Sequence, residues 1–127
     1  MIETVTAGGV FWNEARRLPH LLDILASHFR HISIVVQQSD DDTLKIAYER
    51  LKDVPGSKIS VDVHHGSGDP SFPLLLRSVE TPWTFIISGD ELPSFDLLIS
   101  MERLDRNVDF GDIDEGCEGA ERAITAG

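Results

Sequence analysis

Two adjacent carboxylates, Asp90 and Glu91, follow a short apolar run and the dipeptide Ser88-Gly89. The run, residues 85–87, is Phe-Ile-Ile and has the composition of a buried strand. Acidic residues directly after such a strand have two explanations. They form a solvent-exposed turn, or they supply oxygen ligands to a divalent cation such as Mg²⁺ or Mn²⁺. The pair alone does not decide between these alternatives.

Three other polar loops follow predicted strands, and they contain FWNE at 11–14, QQSDDDT at 37–43 and HHGSGDP at 64–70. In open α/β sheets, ligands bind beyond the carboxyl ends of the strands. We therefore expect these loops and SGDELPS, residues 88–94, to converge on one crevice. The acids at 40–42 also have a plain structural role, since aspartates cap helices and favour their positive ends.

Short apolar runs alternate with amphipathic segments along the chain, which predicts four strands and four helices. The strands are predicted at 5–10, at 32–36, around the alternating Ile59, Val61 and Val63 with one polar face, and at 83–88. The predicted helical faces comprise Leu18, Leu21, Leu22, Leu25 and Phe29; Leu44, Ala47, Tyr48 and Leu51; and Leu74, Leu75 and Val79. Asp69-Pro70 is expected to start the third helix, and Ser94 to cap a fourth that ends near Arg103.

This alternation predicts an α/β fold with three layers, in which a mostly parallel, Rossmann-like sheet carries helices on both faces. The first 104 residues are expected to form one domain. Residues 105–127 are rich in acids and glycines and poor in apolar side chains, so we expect a loosely ordered acidic tail.

The charge balance restricts the classes of partner. Among 127 residues there are 22 acidic and 11 basic side chains, a net charge of −11. Nucleic acids and anionic membranes require a basic surface, so neither is an expected partner. No apolar run approaches the length of a membrane span, and no signal peptide is evident. The one cysteine, Cys117, excludes an internal disulfide, and a cytoplasmic location is expected.

Taken in order, the segments resemble the amino-terminal half of a family 2 glycosyltransferase of the GT-A fold. VTAGGVFWNEARRLPHLLDIL resembles the opening strand, turn and helix of that family, and ISIVVQQSDDDTLKIA resembles its second strand and nucleotide-binding loop. LLLRSVETPWTFIISGDE resembles the approach to its metal motif. The likeness covers roughly residues 3–103, so the fold is expected to be a truncated GT-A fold.

The resemblance implies a nucleoside diphosphate sugar as ligand, held together with a divalent metal, Mn²⁺ or Mg²⁺. It implies Asp90 and Glu91 as the metal-binding residues. The nucleotide-sugar-binding residues that it implies are Phe11, Trp12, Glu14, Gln37, Ser39, Asp41 and Gly89.

The chain departs from the family pattern at several places. Ser88 stands where the first aspartate of the metal motif is usual, and Gln37 stands where an aspartate recognises the base. Phe72-Pro73 replaces a common Arg-Asn pair. The acceptor-binding half has no counterpart, and no general base can be nominated.

Two functions therefore remain open. One is transfer of a sugar to an unknown acceptor, with a partner chain or a second copy supplying the missing half. The other is a non-catalytic module of the same fold, retained for interaction within a larger assembly.

Overall fold

The computed structural model describes residues 1–63, 71–107 and 123–125. Within these ranges, five strands and four helices alternate along the chain. They are β1 (Ile2–Phe11), α1 (Leu18–His28), β2 (Phe29–Gln37), α2 (Thr43–Leu51), β3 (Ser57–Asp62), α3 (Ser71–Ser78), β4 (Trp83–Ile86), α4 (Phe95–Asn107) and β5 (Ala123–Thr125).

The strands form one sheet in the order β3-β2-β1-β4-β5, and each neighbouring pair is parallel. The predicted α/β fold with a parallel sheet is thus confirmed. The chain moves from β1 outward to β3 and then crosses to the other side of β1 to form β4. The strand order therefore reverses between β1 and β4. Such a reversal opens a crevice at the carboxyl ends of the two strands, where α/β proteins bind ligands.

The two faces of the sheet are covered by different helices. Ile34 of β2 belongs to the main hydrophobic core, to which α1, α2 and α4 also contribute buried side chains. Its neighbour Ser33 points to the opposite face because successive side chains of a strand alternate. There the Ser33 hydroxyl hydrogen-bonds the hydroxyl of Ser78 in α3. Three helices thus lie on one face and α3 lies on the other, as three layers require.

Phe29 does not lie on the apolar face of α1, so that prediction is wrong. The helix ends at His28, and Phe29 has extended φ and ψ angles of −115° and 132° as the first residue of β2. Its buried ring stacks on Phe85 of β4, with the ring centroids 5.8 Å apart. The helical spacing of Phe29 is coincidental because the chain passes from α1 into β2 without a loop.

At the outer edge of the sheet, the burial of several side chains also differs from what the sequence pattern predicts. Tyr48, predicted on the core face of α2, is 52% exposed. Val61 and Val63 are largely exposed, whereas Asp62 between them is only 5% exposed. The pattern misleads here because β3 is an edge strand, so that its side chains have sheet neighbours on one side only.

The helix after β4 begins as predicted and ends later. Ser94 caps α4, since its Oγ accepts a hydrogen bond from the Leu97 amide at 3.1 Å. The helix continues to Asn107 and includes Asp105, which the sequence pattern assigns to the tail. Asp105 Oδ1 accepts hydrogen bonds from the amides of Glu3 and Thr4 at 3.0 and 2.7 Å. These bonds fasten the end of α4 to the start of β1.

Two predicted features lie outside the described residues. They are the loop 64–70 with the helix start at Asp69-Pro70, and residues 108–122 and 126–127 of the acidic tail. The division of the chain after residue 104 stays a prediction. Of the helices in the described ranges, none has the length and apolar character needed to cross a membrane.

Candidate functional site

Asn13 joins the loop after β1 to the loop after β2. Its backbone has φ of 51°, a left-handed conformation that asparagine tolerates better than most residues. The Asn13 amide donates to Ser39 Oγ at 3.0 Å, and Asn13 Oδ1 accepts from the Asp40 amide at 2.8 Å. The two loops are therefore held together by both the backbone and the side chain of one residue. The sequence pattern does not single out Asn13, although its type at a strand end is a signal for such a turn.

Asp41 strengthens the same junction. Its Oδ2 accepts a hydrogen bond at 3.1 Å from the amide of Ala15, which lies in the loop after β1. Its Oδ1 accepts from both the amide of Thr43, at 3.0 Å, and the Thr43 hydroxyl. The Thr43 hydroxyl in turn accepts from the Glu14 amide at 2.9 Å. Asp41 and Thr43 thus orient the backbone on which Glu14 stands.

These contacts also determine the charge of Asp41. Burial opposes ionisation, but the hydrogen bonds from the Thr43 hydroxyl and from the Ala15 and Thr43 amides outweigh it. Together they hold the pKa of Asp41 below its usual value of 3.8. Both carboxylate oxygens of Asp41 are thus engaged by donors within the protein.

The loop after β4 packs directly against Glu14. Gly89 is buried, and a methyl group placed on it would lie 2.6 Å from Cδ and 2.7 Å from Cγ of Glu14. Normal contacts between carbon atoms are about 3.5–4.0 Å. A larger residue at this position would therefore force the flexible Glu14 side chain to shift. The structure brings Glu14 and Gly89 together, at the reversal of strand order between β1 and β4.

Ser88 holds the two carboxylates that follow it. Its hydroxyl contacts Asp90 Oδ1 and lies 2.9 Å from Glu91 Oε1. The Ser88 amide donates to the same Glu91 oxygen at 3.3 Å. The hydrogen bond from Ser88 is the main cause that lowers the pKa of Asp90, and the positive charge of Arg17 adds to it. Asp90 is therefore anionic at neutral pH and exposed at the rim of the crevice.

The donor atoms of Asp90 and Glu91 suit a hard cation. No group of three or more histidines, cysteines or acids in the described ranges is arranged to hold a metal by itself. Mg²⁺, however, commonly takes one or two protein carboxylates and completes its octahedron with substrate phosphates and water. Two neighbouring carboxylates therefore fit a cation that is shared with a phosphate-bearing ligand.

Gln37 belongs to a second polar cluster, on the α3 side of the sheet. Its Nε2 donates to Ser71 Oγ at 3.2 Å, and the Ser71 hydroxyl donates to Asp62 Oδ2. Gln37 and Asp62 are paired across β2 and β3. The sequence pattern does not single out Asp62 or Ser71. The available signal was an acid between two valines of a strand, which suggests a buried carboxylate with a polar partner.

The two aromatic residues at the end of β1 have different surroundings. Phe11 is 1% exposed and forms part of the hydrophobic core, so its ring packs inside the protein at the start of the loop after β1. Trp12 is 48% exposed at the rim of the crevice. Of the two rings, Trp12 is therefore the one that a planar ligand group can reach.

A cleft of about 420 Å³ opens between the segment that leads into α1 and the loop after β4. Its lining combines both signs of charge and consists of Arg16, Arg17, His20, Gly89, Asp90, Glu91 and Leu92. The three basic residues are further site candidates that the sequence pattern does not single out. Arginines next to a strand–helix turn carry no distinctive signal in a sequence.

No family model matches the sequence, and no curated protein matches it. The solved structures that are similar to the chain include three crystal structures of TarS from S. aureus, namely TarS 1-349 alone (TM-score 0.64, 22% identity), with UDP-GlcNAc (0.66, 19%) and with UDP (0.63, 22%). Each likeness covers 80% of this chain but only 31–32% of the TarS chain. At this level of identity the likeness shows the fold alone, an α/β fold that the chain shares with part of TarS.

Proposed function

We propose that the chain binds a nucleoside diphosphate sugar at the crevice between β1 and β4, as the donor-binding part of a family 2 glycosyltransferase. The observation that supports this most strongly is the anchoring of three loops around Glu14. Asn13 and Asp41 join the first two loops, and the contact with Gly89 adds the third. In the similar fold of TarS, crystal structures contain UDP-GlcNAc and UDP.

The residues around this crevice have the chemistry that each part of such a ligand requires. The exposed ring of Trp12 can stack on a planar base, and the amide of Gln37 can hydrogen-bond its edge. Ser39 and Asp41, polar side chains of the loop after β2, suit the hydroxyls of a ribose. These assignments divide the ligand between the loops after β1 and β2.

Asp90 and Glu91 would hold Mg²⁺ or Mn²⁺ beside the diphosphate. A bound divalent cation neutralises charge that develops on the leaving diphosphate during sugar transfer. Ser88 keeps both carboxylates turned to one side through its hydroxyl and amide. In this role Ser88 compensates in part for the acid that the family usually has at its position.

No residue in the described part of the chain is assigned as the general base for an acceptor. The chain spans about a third of the length of the TarS 1-349 structures that it resembles. A general base must lie within hydrogen-bond reach of the acceptor hydroxyl. We propose that a further segment or a partner chain supplies it and completes the site.

Calorimetric titration with UDP-GlcNAc and UDP, each with and without Mn²⁺, tests the donor site. We expect saturable binding that needs Mn²⁺ and that Asp90→Asn weakens at least tenfold. Asp96→Asn is the matched control, because Asp96 is an exposed acid in the first turn of α4. Absence of binding by any common sugar nucleotide with Mn²⁺ would refute the proposal. Equal affinities of the two variants would refute the role of Asp90.

A non-catalytic module is the second candidate, and one observation favours it. The Ser88 hydroxyl engages both Asp90 and Glu91, so the turn is complete without a metal. In that case Asp90→Asn should leave the oligomeric state or partner complex unchanged while no sugar nucleotide binds. Size-exclusion chromatography with light scattering on wild type and variant distinguishes this outcome from the first.

A further inference from the structure

The outer edge of β3 carries backbone groups that no described strand pairs with. β3 is the first strand in the sheet order, and β2 is its neighbour. The carbonyl of Asp62 accepts a hydrogen bond from the Gln38 amide at 2.8 Å, on the β2 side. The N–H and C=O groups of successive residues in a strand point to opposite sides, so the even-numbered residues of β3 bond to β2. Ile59 and Val61 therefore direct their N–H and C=O groups to the free edge.

This edge lacks the features that usually protect an edge strand, which are a proline, a bulge or a charged side chain that covers it. Residues 57–62 contain no proline, and the strand pairs with β2 without a register shift. The one lysine of the strand, Lys58, is bound elsewhere. Its Nζ donates to Ser78 O at 3.0 Å and to Glu80 Oε1 at 2.7 Å. The lysine is thus turned toward α3 and leaves the edge open.

Apolar side chains lie along the same edge. Ile59 packs against the main hydrophobic core, and Val61 lies on the same face because alternate residues of a strand share a face. Val61 is 47% exposed, Val63 is 65% exposed, and Tyr48 of the neighbouring α2 is 52% exposed. A groove of about 490 Å³ beside α2 and β3 has Tyr48, Leu51 and Ile59 among its lining residues. Free backbone groups next to apolar side chains suit the addition of another strand.

The charge of this edge favours a second copy of the chain as the added strand. Residues 43–63, which contain α2 and β3, have four basic and three acidic side chains, whereas the whole chain has 11 basic and 22 acidic ones. Most of the net charge of −11 therefore lies elsewhere. Two copies can approach through this edge without the repulsion that their acidic surfaces would cause.

We propose that two copies of the chain pair antiparallel through β3, around a twofold axis at Ser60, so that their sheets become continuous. Ile59 of each copy then faces Val61 of the other, and each such pair exchanges both backbone hydrogen bonds. The interface goes beyond the proposed function, because β2 separates β3 from the crevice between β1 and β4. Antiparallel pairing also directs the two crevices to opposite edges of the joined sheet, so the second copy does not complete either of them.

The side chains of β3 favour this register over its alternatives. With Ser60 opposite Ser60, Lys58 of each copy faces Asp62 of the other, and unlike charges oppose each other. A register centred on Lys58 or on Asp62 would bring like charges together. A register centred on Ile59 or on Val61 would leave both charged residues without an opposite charge across the interface. The pairing around Ser60 is therefore the self-complementary one that a twofold axis requires.

Light scattering coupled to size-exclusion chromatography, over a series of protein concentrations, tests the association. We expect a mass of twice that of the chain at high concentration. Val61→Lys places a charge opposite Ile59 and should raise the dissociation constant roughly tenfold or more. Val61→Pro removes an amide that faces away from β2 and should have the same effect. Leu104→Lys, the same change at a 38% exposed position in α4, is the matched control and should associate as wild type does.

Disulfide formation tests the register. Cys117→Ser removes the one native cysteine and provides the background for both variants. Ser60→Cys brings two thiols opposite each other at the twofold axis, at a separation that a disulfide can span. Mild oxidation should therefore yield a dimer on a non-reducing gel that a thiol reductant dissociates. Val63→Cys is the control, because it is largely exposed but lies three residues from the axis, and it should remain a single chain.

Four results would overturn the proposal. They are the mass of one chain at every concentration, equal association of Val61→Lys and Leu104→Lys, masses beyond two copies, and equal crosslinking of Ser60→Cys and Val63→Cys. Masses beyond two copies would indicate pairing of β3 with the β5 edge of another copy, which does not close. Far-UV circular dichroism establishes that each variant is folded. If Val61→Lys is not, Val61→Pro and the crosslinking decide.

Discussion

Gly89→Ala would place a methyl group in space that the Glu14 side chain occupies. The new carbon would lie 2.6 Å from Cδ, 2.7 Å from Cγ and 2.9 Å from Oε1 of Glu14. Contacts of this kind normally need about 3.5–4.0 Å, so the overlap is close to 1 Å at two carbons. The backbone of Gly89 is not in the left-handed region, and alanine can adopt it. The whole effect should therefore come from the clash with Glu14.

Overpacking of a well-packed core typically costs about 1–3 kcal/mol, but here the atoms that clash are the far end of a flexible, partly exposed side chain. The Glu14 amide is fixed by Thr43, so the side chain has to give way by rotation. In the Glu14→Ala background, Cγ, Cδ and Oε1 are all absent and the added methyl group meets none of them. We therefore expect a cost at the low end of that range: Gly89→Ala should lower the free energy of unfolding by about 1 kcal/mol alone and by less than about 0.5 kcal/mol in that background.

Urea denaturation of the four proteins in this double-mutant cycle measures the coupling. Gly56→Ala is the control, because its methyl group would lie 2.2 Å from the backbone oxygen of Arg30, which Glu14→Ala cannot relieve. UDP affinity should fall with Gly89→Ala, since Glu14 and the loop after β4 both line the proposed site. An equal cost of Gly89→Ala in both backgrounds would show that the two loops do not pack as described.

Two further predictions concern carboxylates. Asp105→Ala should lower the free energy of unfolding by about 1–3 kcal/mol in urea denaturation, because the partly buried Thr4 amide and hydroxyl lose their acceptor; Asp96→Ala should have little effect. The pKa values of Asp41 and Asp105 are both lowered, because in each case hydrogen bonds to the carboxylate outweigh the effect of burial. The stability that the two carboxylates contribute is therefore complete above the unfolded pKa near 3.8. It is lost as the pH falls through the lower pKa values of the folded state. The free energy of unfolding should therefore decrease below about pH 4. If it decreases equally in the double variant Asp41→Asn/Asp105→Asn, the two carboxylates are not the cause.

The order of elements was predictable because strands and helices have different hydrophobic periods. The runs at 32–36 and 85–87 consist mostly of β-branched or aromatic residues, and Leu18 to Leu25 repeat with helical spacing. Predictions from the local pattern failed where the burial of a side chain depends on neighbours that are distant in sequence. Tyr48 has the spacing of a core residue, but α2 and β3 lie at the edge of the sheet and leave it exposed.

The candidate site was predictable only in part. Its location followed from the alternation of elements, because parallel strands place their carboxyl ends at one edge. The roles of individual residues did not follow. Asp105 has the sequence context of an acidic tail, yet it accepts hydrogen bonds from residues about a hundred positions earlier. Asp41 has the context of a helix cap, yet it also binds the Ala15 amide in another loop.

The sequence by itself determined that this chain forms an α/β fold with polar loops after its strands, because residue type and spacing decide which segments can bury an apolar face. Tertiary structure alone decided which polar residues meet. The contact of Gly89 with Glu14 and the cleft between Arg17 and Asp90 join segments that are more than seventy residues apart. Such contacts depend on the order of strands in the sheet, and only the packing of the whole chain determines that order.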